Sequence, residues 1–383
     1  MRLLILGADG YLGWPTALDM LDNSHEVCLA DNYLRRNMAI ETQSEPLFNT
    51  PDLTSRMDLF TKLTKKKARV EIIDCCDFPA LQKLVSEFQP DTLIHFAEQP
   101  SAPYSMKGFQ EARLTLHNNL ISTFNVIWSV IKCAPKCHII KLGTMGEYGT
   151  PNIDIEEGWL TVKHNGRTNK FLYPRQAGSL YHTTKVLDTD LIWFYVRSNG
   201  LKVTDLMQGP VYGLSTPNCD IHERLVPNFH YDDIFGTVIN RFLVQAVAEI
   251  PLTIYGLGEQ TRGYLNLNDT LQCIKLAADT PPEPGQLRIL NQFTETFSVN
   301  QIASNIIEAG KHLGLNVTAK SIKNPRQEIE DHYYNPKSTG LKDLGLVPNL
   351  MTTEVLVKML NRISKVKERI DIAKIFPRVK WRK

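Results

Sequence analysis

The sequence predicts an α/β protein, in which a Rossmann-type doubly wound parallel sheet is followed by a smaller mixed α/β domain. The chain opens with a short apolar run at residues 2–6, and a glycine loop and a helical stretch follow at once. Similar runs at residues 26–30, 69–73, 92–97, 138–142 and 201–206 alternate with helical stretches. This alternation is typical of parallel sheets. After residue 208 the pattern becomes mixed, which marks the second domain.

The composition excludes several classes of protein. The 383 residues carry a net charge of +2, so the basic excess of a nucleic-acid-binding protein is missing. No apolar run reaches the roughly 18–20 residues that a membrane helix needs. The seven cysteines form no even framework and no zinc spacing, which favours reduced thiols, a cytoplasmic location and no metal site. The basic tail from Lys365 onward is expected to be solvated or loosely docked.

The loop after the first apolar run has the spacing of a dinucleotide-binding motif. Gly7, Gly10 and Gly13 recur at every third position, with Asp9 and Tyr11 between them. Glycines let the backbone approach a pyrophosphate, and the N-terminus of the following helix stabilises the anion. This spacing differs from that of ordinary dehydrogenases and is typical of short-chain dehydrogenase/reductases of the extended type.

An acidic residue, Asp31, stands at the end of the second predicted strand and is followed by Asn32. A carboxylate here can accept hydrogen bonds from both adenosine ribose hydroxyls and repel a 2′-phosphate, which favours NAD over NADP. Arg35 and Arg36 leave the choice open, because a nearby arginine can hold the extra phosphate. Both are equally compatible with a place on the adenine or the diphosphate.

Side chains after the other strands are expected to complete the cofactor and substrate sites, because ligands bind at the carboxyl ends of a parallel sheet. Asn118, on a helical stretch, is a further candidate as polar support. The predicted cofactor contacts are Asp74, Cys75, Phe96, Ala97, Glu98, Asn118, Leu142, Gln208 and Val211. Gln99, Ser101 and Tyr104 follow the fourth strand and are predicted to face the substrate, as is Gln208.

These patterns set the predicted domain boundaries. Residues 1–208 form the NAD-binding domain, with insertions at 37–68 and 153–178. Residues 209–383 mainly form the substrate-binding domain, with some segments returning to the first. Asn165-Gly166, between two β-prone stretches, predicts a hairpin inside the second insertion. That hairpin would lie near the mouth of the site, as a lid or an interaction surface.

Tyr181 and Lys185 are the candidate catalytic pair. A spacing of four places both side chains on one face of a helix. An ammonium group favours ionisation of a neighbouring phenol, and a phenolate can take a proton from a sugar hydroxyl as a hydride leaves the same carbon. Both side chains are also expected to contact the cofactor. Thr144, at the end of the fifth strand, completes the set by hydrogen-bonding the sugar hydroxyl or the ketone made from it.

Over its whole length the chain resembles the UDP-sulfoquinovose synthase family, within the extended short-chain dehydrogenase/reductases that act on nucleotide sugars. The resemblance rests on residues 7–13, 31–32, 101–106, 141–158, 173–174, 181–185, 231–232, 260–264, 291–295 and 332–335. It implies conversion of UDP-glucose and sulfite to UDP-sulfoquinovose through a 4-keto-5,6-ene, with NAD as a resident cofactor. One position departs from the family: Pro100 stands where an arginine is usual, so another cation would have to hold the sulfur nucleophile.

The resemblance implies further roles near sugar carbons 5 and 6. Sugar dehydratases carry an Asp-Glu pair after the threonine, where this chain has Met145 and Gly146. His182 and Glu147 are therefore the acid/base candidates. His182 is favoured because it adjoins the catalytic pair and histidine titrates near neutrality. Met145 is assigned to the wall of the pocket beside carbon 6.

The same resemblance extends to substrate and partner contacts. Arg262, and Arg326 with Glu328, are assigned to the UDP diphosphate, because arginine pairs with phosphate through two donors. Gln260 is assigned to the ribose or uracil. By analogy with this class, helices at about 108–133 and 180–198 are expected to form the four-helix interface of a homodimer.

Two other functions remain open at this stage. A UDP-sugar 4-epimerase or 4,6-dehydratase would share the oxidation step but not sulfite addition, and the run around Met145 counts against it. A non-catalytic dinucleotide sensor on the same fold would not need the intact Tyr181 and Lys185. The physiological sulfur donor and the acceptor of the product, lipid or glycan, do not follow from the sequence.

Overall fold

The computed structural model describes residues 1–326, 332–379 and 381. Its first half builds the central sheet and the helices on both faces. The elements are β1 (Arg2–Leu6), α1 (Gly13–Asp22), β2 (Glu26–Asp31), α2 (Leu34–Glu41), α3 (Leu53–Thr64), β3 (Arg69–Ile72), α4 (Phe78–Phe88), β4 (Thr92–His95), α5 (Ala102–Ser105), α6 (Phe109–Cys133), β5 (His138–Thr144), β6 (Trp159–His164), β7 (Arg167–Leu172), α7 (Leu180–Asn199) and β8 (Lys202–Gln208).

The remaining elements follow β8. They are β9 (Val211–Tyr212), α8 (Val238–Val247), β10 (Leu252–Tyr255), β11 (Thr261–Asn266), α9 (Leu267–Asp279), β12 (Leu287–Gln292), β13 (Glu295–Ser298), α10 (Val299–Lys311), β14 (Ala319–Ile322), α11 (Gly340–Asp343) and α12 (Thr353–Ser364). No helix in the described part of the chain is both long and apolar enough to cross a membrane.

The central sheet has the strand order β3-β2-β1-β4-β5-β8-β12, and each of its pairings is parallel. Residues 3–6 of β1, 93–94 of β4 and 139–140 of β5 are apolar and buried, as expected for strands covered by helices on both faces. Successive strands are added to one side of β1 up to β3 and to its other side from β4 onward. The change of side between β1 and β4 opens a crevice at their carboxyl ends. The predicted Rossmann-type fold class is confirmed.

The second half surrounds a separate apolar core, built largely from α8, α10 and α12. Two small sheets accompany it: β9-β11-β13, and β10 paired with β14. β12 belongs instead to the central sheet, and α9 packs against α1. The second half is therefore attached to the first through an extra strand and a shared helical contact.

The hairpin predicted at Asn165-Gly166 is present as antiparallel β6 and β7. Both turn residues have positive φ, 46° at Asn165 and 74° at Gly166, as a two-residue type I′ turn requires. Trp159 at its base packs edge-on against Trp193 of α7, with 5.0 Å between ring centroids. The hairpin is thus fixed at its base to the helix that carries Tyr181.

The C-terminal tail differs from the sequence-based expectation, because its described residues dock against both halves. Arg378 forms an ion pair with Asp233 at 2.6 Å and donates to the carbonyl of Thr42. The N–H of Asp233 in turn donates to the carbonyl of Lys374 at 3.1 Å. The expectation of a loose tail did not consider these pairings, which join residues far apart in sequence.

Candidate active site

A cleft of about 840 Å³, partly open to solvent, lies at the carboxyl ends of β1, β2 and β4. Most of the predicted cofactor contacts line it, together with the predicted substrate contact Gln99. Those residues are Gly7, Asp9, Gly10, Tyr11, Gly13, Asp31, Asn32, Arg35, Asp74, Cys75, Phe96, Ala97, Glu98, Gln99, Asn118 and Leu142. The cleft is also lined by residues that were not predicted as cofactor contacts: Leu12, Tyr33, Leu34, Met38, Ile73 and Pro100. These mostly apolar side chains have no functional group that would mark them as ligand contacts. Their positions next to the glycine loop and the strand ends could have identified them.

The glycine loop is shaped by close backbone contacts. Gly7 has φ +83°, and a Cβ atom there would lie 2.7 Å from the carbonyl carbon of Phe96. A Cβ at Gly13 would lie 2.2 Å from the carbonyl oxygen of Gly7. The loop can therefore approach both β4 and a ligand, and α1 begins at Gly13 with its N-terminus at the cleft. This arrangement fits a dinucleotide diphosphate.

Asp31 is placed to receive ribose hydroxyls. Its Oδ1 accepts from the backbone N–H of Tyr33 at 2.7 Å, and its Oδ2 accepts from that of Asp9 at 2.8 Å. Burial raises the pKa of Asp31 to about 6, and the nearby Asp9 carboxylate adds to the increase. Each ionised oxygen keeps a lone pair for a further donor. The cleft residues therefore fit the adenosine end of NAD.

The two predicted arginines have different fates. Arg35 lines the cleft, and its Nε is buried without a partner among the described residues, so it can receive an anionic or polar ligand group. Arg36 does not line the cleft, and its assignment as a cofactor contact is wrong in this structure. Its guanidinium is held by Asp9, at 2.6 and 2.9 Å, and by the carbonyls of Thr50 and Pro51.

Tyr181 and Lys185 lie on one face of α7, as predicted. The Lys185 Nζ is 5.9 Å from the centroid of the Tyr181 ring. It donates to the carbonyl of Leu142 at 2.8 Å and forms an ion pair with Glu98 at 2.6 Å. Burial, reinforced by the Glu98 carboxylate, raises the pKa of the Tyr181 phenol. A raised pKa favours the protonated phenol at neutral pH, and the lysine charge is balanced by Glu98.

Thr144 ends β5 and caps the short turn that follows. Its Oγ1 accepts from the backbone N–H of Gly146 at 3.1 Å, which leaves the hydroxyl hydrogen free to donate. α7 follows the β6–β7 hairpin, with Ser179 as its N-cap. The end of β5 and the first turns of α7 are therefore held in place by local capping bonds.

His182 lies against that turn. A Cβ on Gly146 would come within 2.4 Å of the His182 ring, and the ring Nδ1 is 2.9 Å from the Ser179 hydroxyl. Burial, with the charges of Arg262 and Arg326, lowers the pKa of His182 to about 3. The expectation that it titrates near neutrality is therefore wrong. A neutral imidazole keeps one bare nitrogen, which is a proton acceptor.

Glu147 does not face the cleft, and its candidacy as an acid/base group is contradicted. Its side chain is fully buried, 3.5 Å from the Lys141 Nζ and 3.7 Å from the Arg175 Nε. The short helical turn at 145–147 directs the carboxylate toward Lys141 and Arg175. Met145 is also buried, within the main apolar core, so no described contact places it at a pocket wall.

The remaining candidates are distributed around the site. Gln99 and Ser101 are buried and support the segment after β4, where the Gln99 Nε2 donates to the Thr115 hydroxyl at 2.7 Å. Tyr104 packs in a small apolar cluster with Met38. These three side chains thus have structural partners, and Gln99 alone of them lines the cleft.

Gln208, the last residue of β8, and Val211 of β9 have partners outside the lining of the cleft. Gln208 donates to the side chain of Gln292 at 3.2 Å. Val211 is buried in a cluster with Tyr11 and Leu12 of the glycine loop. Neither lines the cleft itself, so their predicted cofactor contacts rest on the sequence argument.

The substrate-domain candidates stand near His182. Arg262 donates to the ring of His332 at 2.8 Å, and Arg326 lies over the Trp381 ring at 5.5 Å. Gln260 is buried and donates to the carbonyl of Tyr255 at 3.1 Å. Glu328 lies outside the described residues. The charges of both arginines lower the pKa of His182, and Arg326 lines a second, smaller pocket with Arg241 and Tyr255.

Comparison with known proteins gives the family. The sequence profile of the NAD dependent epimerase/dehydratase family matches residues 3–291. The UDP-sulfoquinovose synthase of spinach chloroplasts (Spinacia oleracea) is 46% identical over 382 residues, which are 100% of this chain and 79% of the relative. The UDP-sulfoquinovose synthase of Sulfolobus acidocaldarius is 42% identical over 386 residues, which are 100% of this chain and 98% of the relative.

Solved structures share the fold at lower identity. A UDP-glucose 4-epimerase from Thermotoga maritima, crystallised with UDP-glucose, has a TM-score of 0.70 and 19% identity, over 95% of this chain and 99% of that one. The UDP-glucose 4-epimerase from Bifidobacterium longum, in complex with NAD⁺ and UDP, has a TM-score of 0.72 and 17% identity, over 98% of this chain and 100% of that one. The chain belongs to the NAD dependent epimerase/dehydratase family and, within it, to the UDP-sulfoquinovose synthases.

Proposed function

We propose that this protein joins UDP-glucose and sulfite into UDP-sulfoquinovose at the cleft described above. The observation that carries the proposal is the identity of 46% and 42%, over the whole chain, with two proteins named for that activity. The Tyr181–Lys185 pair beside a cleft that fits NAD supports it. When bound, NAD supplies the acceptor and later the donor of a hydride at carbon 4 of the sugar.

Tyr181 is assigned the proton at carbon 4. It removes the proton of the carbon 4 hydroxyl during oxidation and returns it to the ketone oxygen when the hydride comes back. Thr144 donates to that oxygen and holds it in place. Lys185 stabilises the phenolate, because a neighbouring cation favours the ionised phenol. The proton and the hydride are thus borrowed and restored within one cycle.

His182 is assigned the proton at carbon 5, which the ketone at carbon 4 makes acidic. The neutral ring accepts this proton, and the carbon 6 hydroxyl leaves as water after taking up a proton from solvent. The sulfur lone pair of sulfite then bonds to carbon 6 of the unsaturated ketone. Carbon 5 regains its proton from the imidazolium. The sulfur enters as sulfite and becomes a sulfonate without an external oxidant or reductant.

Arg262 and Arg326 are assigned to the anionic groups. Both lie close enough to His182 to lower its pKa, so they create a positive potential beside the carbon that sulfite attacks. The diphosphate of UDP-glucose and the incoming sulfite are both anions. These arginines therefore supply the cationic environment at a site where Pro100 replaces the arginine usual in the family.

Product analysis tests this function. Purified protein with UDP-glucose, NAD and sulfite is expected to give a sulfonated nucleotide sugar by mass spectrometry. Sulfate is expected to give none, because its sulfur has no lone pair. Tyr181→Phe should lower the rate by roughly 10²–10⁴, the contribution of a general acid/base. Tyr333→Phe, which removes an exposed phenol bonded to Asp154, is the control. UDP-galactose or a 6-deoxy-4-keto sugar as the product with sulfite present would refute the proposal.

We also propose that two copies of the chain associate through α6 and α7. These long helices pack against each other, and apolar side chains remain exposed on them: Leu116 (42%), Phe124 (38%), Leu187 (42%) and Phe194 (54%). Trp128 and Tyr195 join Phe124 and Phe194 in an aromatic cluster. Pairing with the same helices of a second copy would bury this face in a four-helix bundle.

Sedimentation measures this association. The double variant Leu187→Asp with Phe194→Asp is expected to sediment as a monomer, because it places charge in the centre of the apolar face. Val347→Asp, at an exposed apolar position in the second half, should leave the oligomeric state unchanged. A wild-type protein that is monomeric at micromolar concentration would contradict the proposal.

A further inference from the structure

Two carboxyl groups lie buried next to the catalytic lysine. Glu98 follows β4, and its side chain is 3% exposed. Asp188 is on α7, one turn after Lys185, and is fully buried. The proposed proton transfers use neither group, and buried carboxylates are rare without a specific partner. Their position beside Lys185 therefore calls for a role.

The contacts form a connected set. The Lys185 Nζ is 2.6 Å from Glu98 Oε2, and the His95 Nε2 is 3.5 Å from Glu98 Oε1. Both oxygens of Asp188 are buried, and neither accepts a hydrogen bond from an N–H or O–H group of the described residues. Asp188 nevertheless lies within hydrogen-bonding reach of the Glu98 carboxyl. Such a contact is attractive only when one of the two groups carries a proton.

The geometry points to a one-proton acid pair: Asp188 holds the proton and donates it to Glu98, and ionised Glu98 is the counter-charge that positions Lys185 under Tyr181. Glu98 is thus a positioning residue, which acts on the phenol through the lysine. This inference rests on the roles proposed above for Tyr181 and Lys185.

Groups on every packed element face the pair. Tyr181 and Lys185 share α7 with Asp188, His95 ends β4, and Lys141 of β5 is fully buried nearby. Lys141 is itself 3.5 Å from Glu147 and 3.7 Å from Asp205 of β8. Burial and the Glu98 charge raise the pKa of Asp188 well above its usual value. Burial alone would raise the pKa of Glu98 as well, but Lys185, His95 and Lys141 together hold it below its usual value.

A reversible carbon 4 step explains the value of such a pair. Tyr181 accepts the carbon 4 hydroxyl proton first and gives it back later, so it must serve as both base and acid. A lysine without a counter-charge would favour the phenolate strongly and weaken the return of the proton. Glu98 moderates that effect, since it raises the pKa of Tyr181. No proton is gained or lost by the pair itself.

The pH dependence of ketone formation tests the pair. UDP-glucose is mixed with the NAD-loaded enzyme without sulfite, and the absorbance of the reduced nicotinamide gives the rate. Glu98→Gln keeps the shape but removes the charge, which favours the phenolate. The acid limb of the pH–rate profile is expected to move down by roughly one pH unit, the size of a close charge effect. An unmoved limb in folded Glu98→Gln would overturn the assignment.

A second variant separates the two carboxyls. Asp188→Asn replaces a neutral donor with another neutral donor, so its profile is expected to stay where the wild-type profile lies. A shift as large as that of Glu98→Gln would overturn the proton's location on Asp188. Asp190→Asn, at an exposed position on the same helix, is the matched control for changes in α7. Its profile should coincide with that of the wild type.

Infrared spectroscopy at pH 7 gives a reading that does not depend on turnover. The wild type should show the carbonyl band of a protonated carboxyl that is missing in Asp188→Asn, and identical spectra would overturn the pair even if Glu98→Gln failed to fold. Failure of the proposed function looks different. Tyr181→Phe would then still reduce the nicotinamide, whereas failure of the acid pair alone leaves Tyr181→Phe inactive and the Glu98→Gln profile unshifted.

Discussion

At the scale of single residues, the site depends on a missing side chain. Gly146 allows the His182 ring to lie directly against the turn after Thr144, because a Cβ there would come within 2.4 Å of the ring. Sugar dehydratases carry a glutamate at this position. In this chain an imidazole from α7 occupies the space, and in the proposed mechanism the acid/base group at carbon 5 therefore comes from α7 rather than from the turn.

Gly146→Ala tests whether the proposed role of His182 depends on the absence of a side chain at position 146. The new methyl should push the His182 ring away, so that elimination at carbon 6 slows by roughly 10²-fold, within the range of general acid/base effects. Oxidation at carbon 4 should continue, because Tyr181 and Lys185 are untouched. Rapid-mixing absorbance follows the oxidation, and mass spectrometry follows the sulfonated product.

Gly178→Ala is the matched control for this change, because a Cβ there meets nothing within 4 Å. It should leave both rates at the wild-type level. Equal loss of both steps in Gly146→Ala would show that the turn supports the whole site rather than His182.

At the scale of elements, the insertion at 37–68 supports the glycine loop. Arg56 of α3 is fully buried, with its guanidinium 4.4 Å from the Trp14 ring and its Nη2 2.6 Å from Asp9 Oδ1. Arg36 of α2 holds the other oxygen of Asp9. α3 of the insertion, together with α2, which begins just before it, thus fixes Asp9, the second residue after Gly7, in the loop proposed to hold the cofactor diphosphate.

Arg56→Met is expected to destabilise the protein and weaken NAD binding together. Removing one of the two cations paired with the buried Asp9 leaves its charge compensated by Arg36 alone, which is expected to cost up to about 3 kcal/mol. Urea unfolding measures the loss of stability, and titration calorimetry should show a dissociation constant for NAD raised about tenfold. Arg69→Met, which removes an exposed cation paired with Glu71 and Glu87, is the control. Unchanged NAD affinity in a destabilised Arg56→Met would contradict the claim that the insertion supports NAD binding through the glycine loop.

At the scale of the whole molecule, the features predicted correctly from the sequence are those that depend on interactions between residues close together in the chain. The alternation of apolar runs and helices predicted the sheet, and Asn165-Gly166 predicted the hairpin because its turn chemistry is contained in two residues. Tyr181 and Lys185 were predicted to share a face because helix periodicity alone decides it. These features need no knowledge of distant parts of the chain.

The errors concern residues whose partners lie far away. Glu147 turns toward Lys141 and Arg175, Arg36 turns toward Asp9, and each choice depends on a tertiary ion pair. The pKa of His182 depends on Arg262 and Arg326, which are 80 or more positions away in the sequence. Side-chain direction and protonation thus follow from packing, which a linear motif does not contain.

The free energy of unfolding is a property of the whole molecule, and the buried His138 is expected to make it depend on pH. Burial, with Arg288 and Lys202, lowers the pKa of His138 to about 3. Between pH 6.5 and this value the unfolded chain binds a proton that the folded protein does not. The free energy of unfolding should therefore fall by about 1.4 kcal/mol per pH unit for this residue as the pH decreases.

The comparison with His138→Gln isolates that contribution. The variant lacks the titrating ring, so its stability difference from the wild type should shrink as the pH falls from 6.5 to about 4.5. Urea titrations at several pH values measure it, with His312→Gln as the control at an exposed position. A difference that does not vary with pH would contradict the assignment.

The indole of Trp14 is fixed under the glycine loop, stacked on Arg56 and bonded to the carbonyl of Leu225 at 2.9 Å. Tryptophan emission overlaps the absorption of dihydronicotinamide but not that of its oxidised form. The chain therefore contains its own optical reporter: excitation transfer from this indole should dim its light each time the hydride is stored and restore it when the hydride is returned. The chemical cycle can then be watched in unlabelled protein.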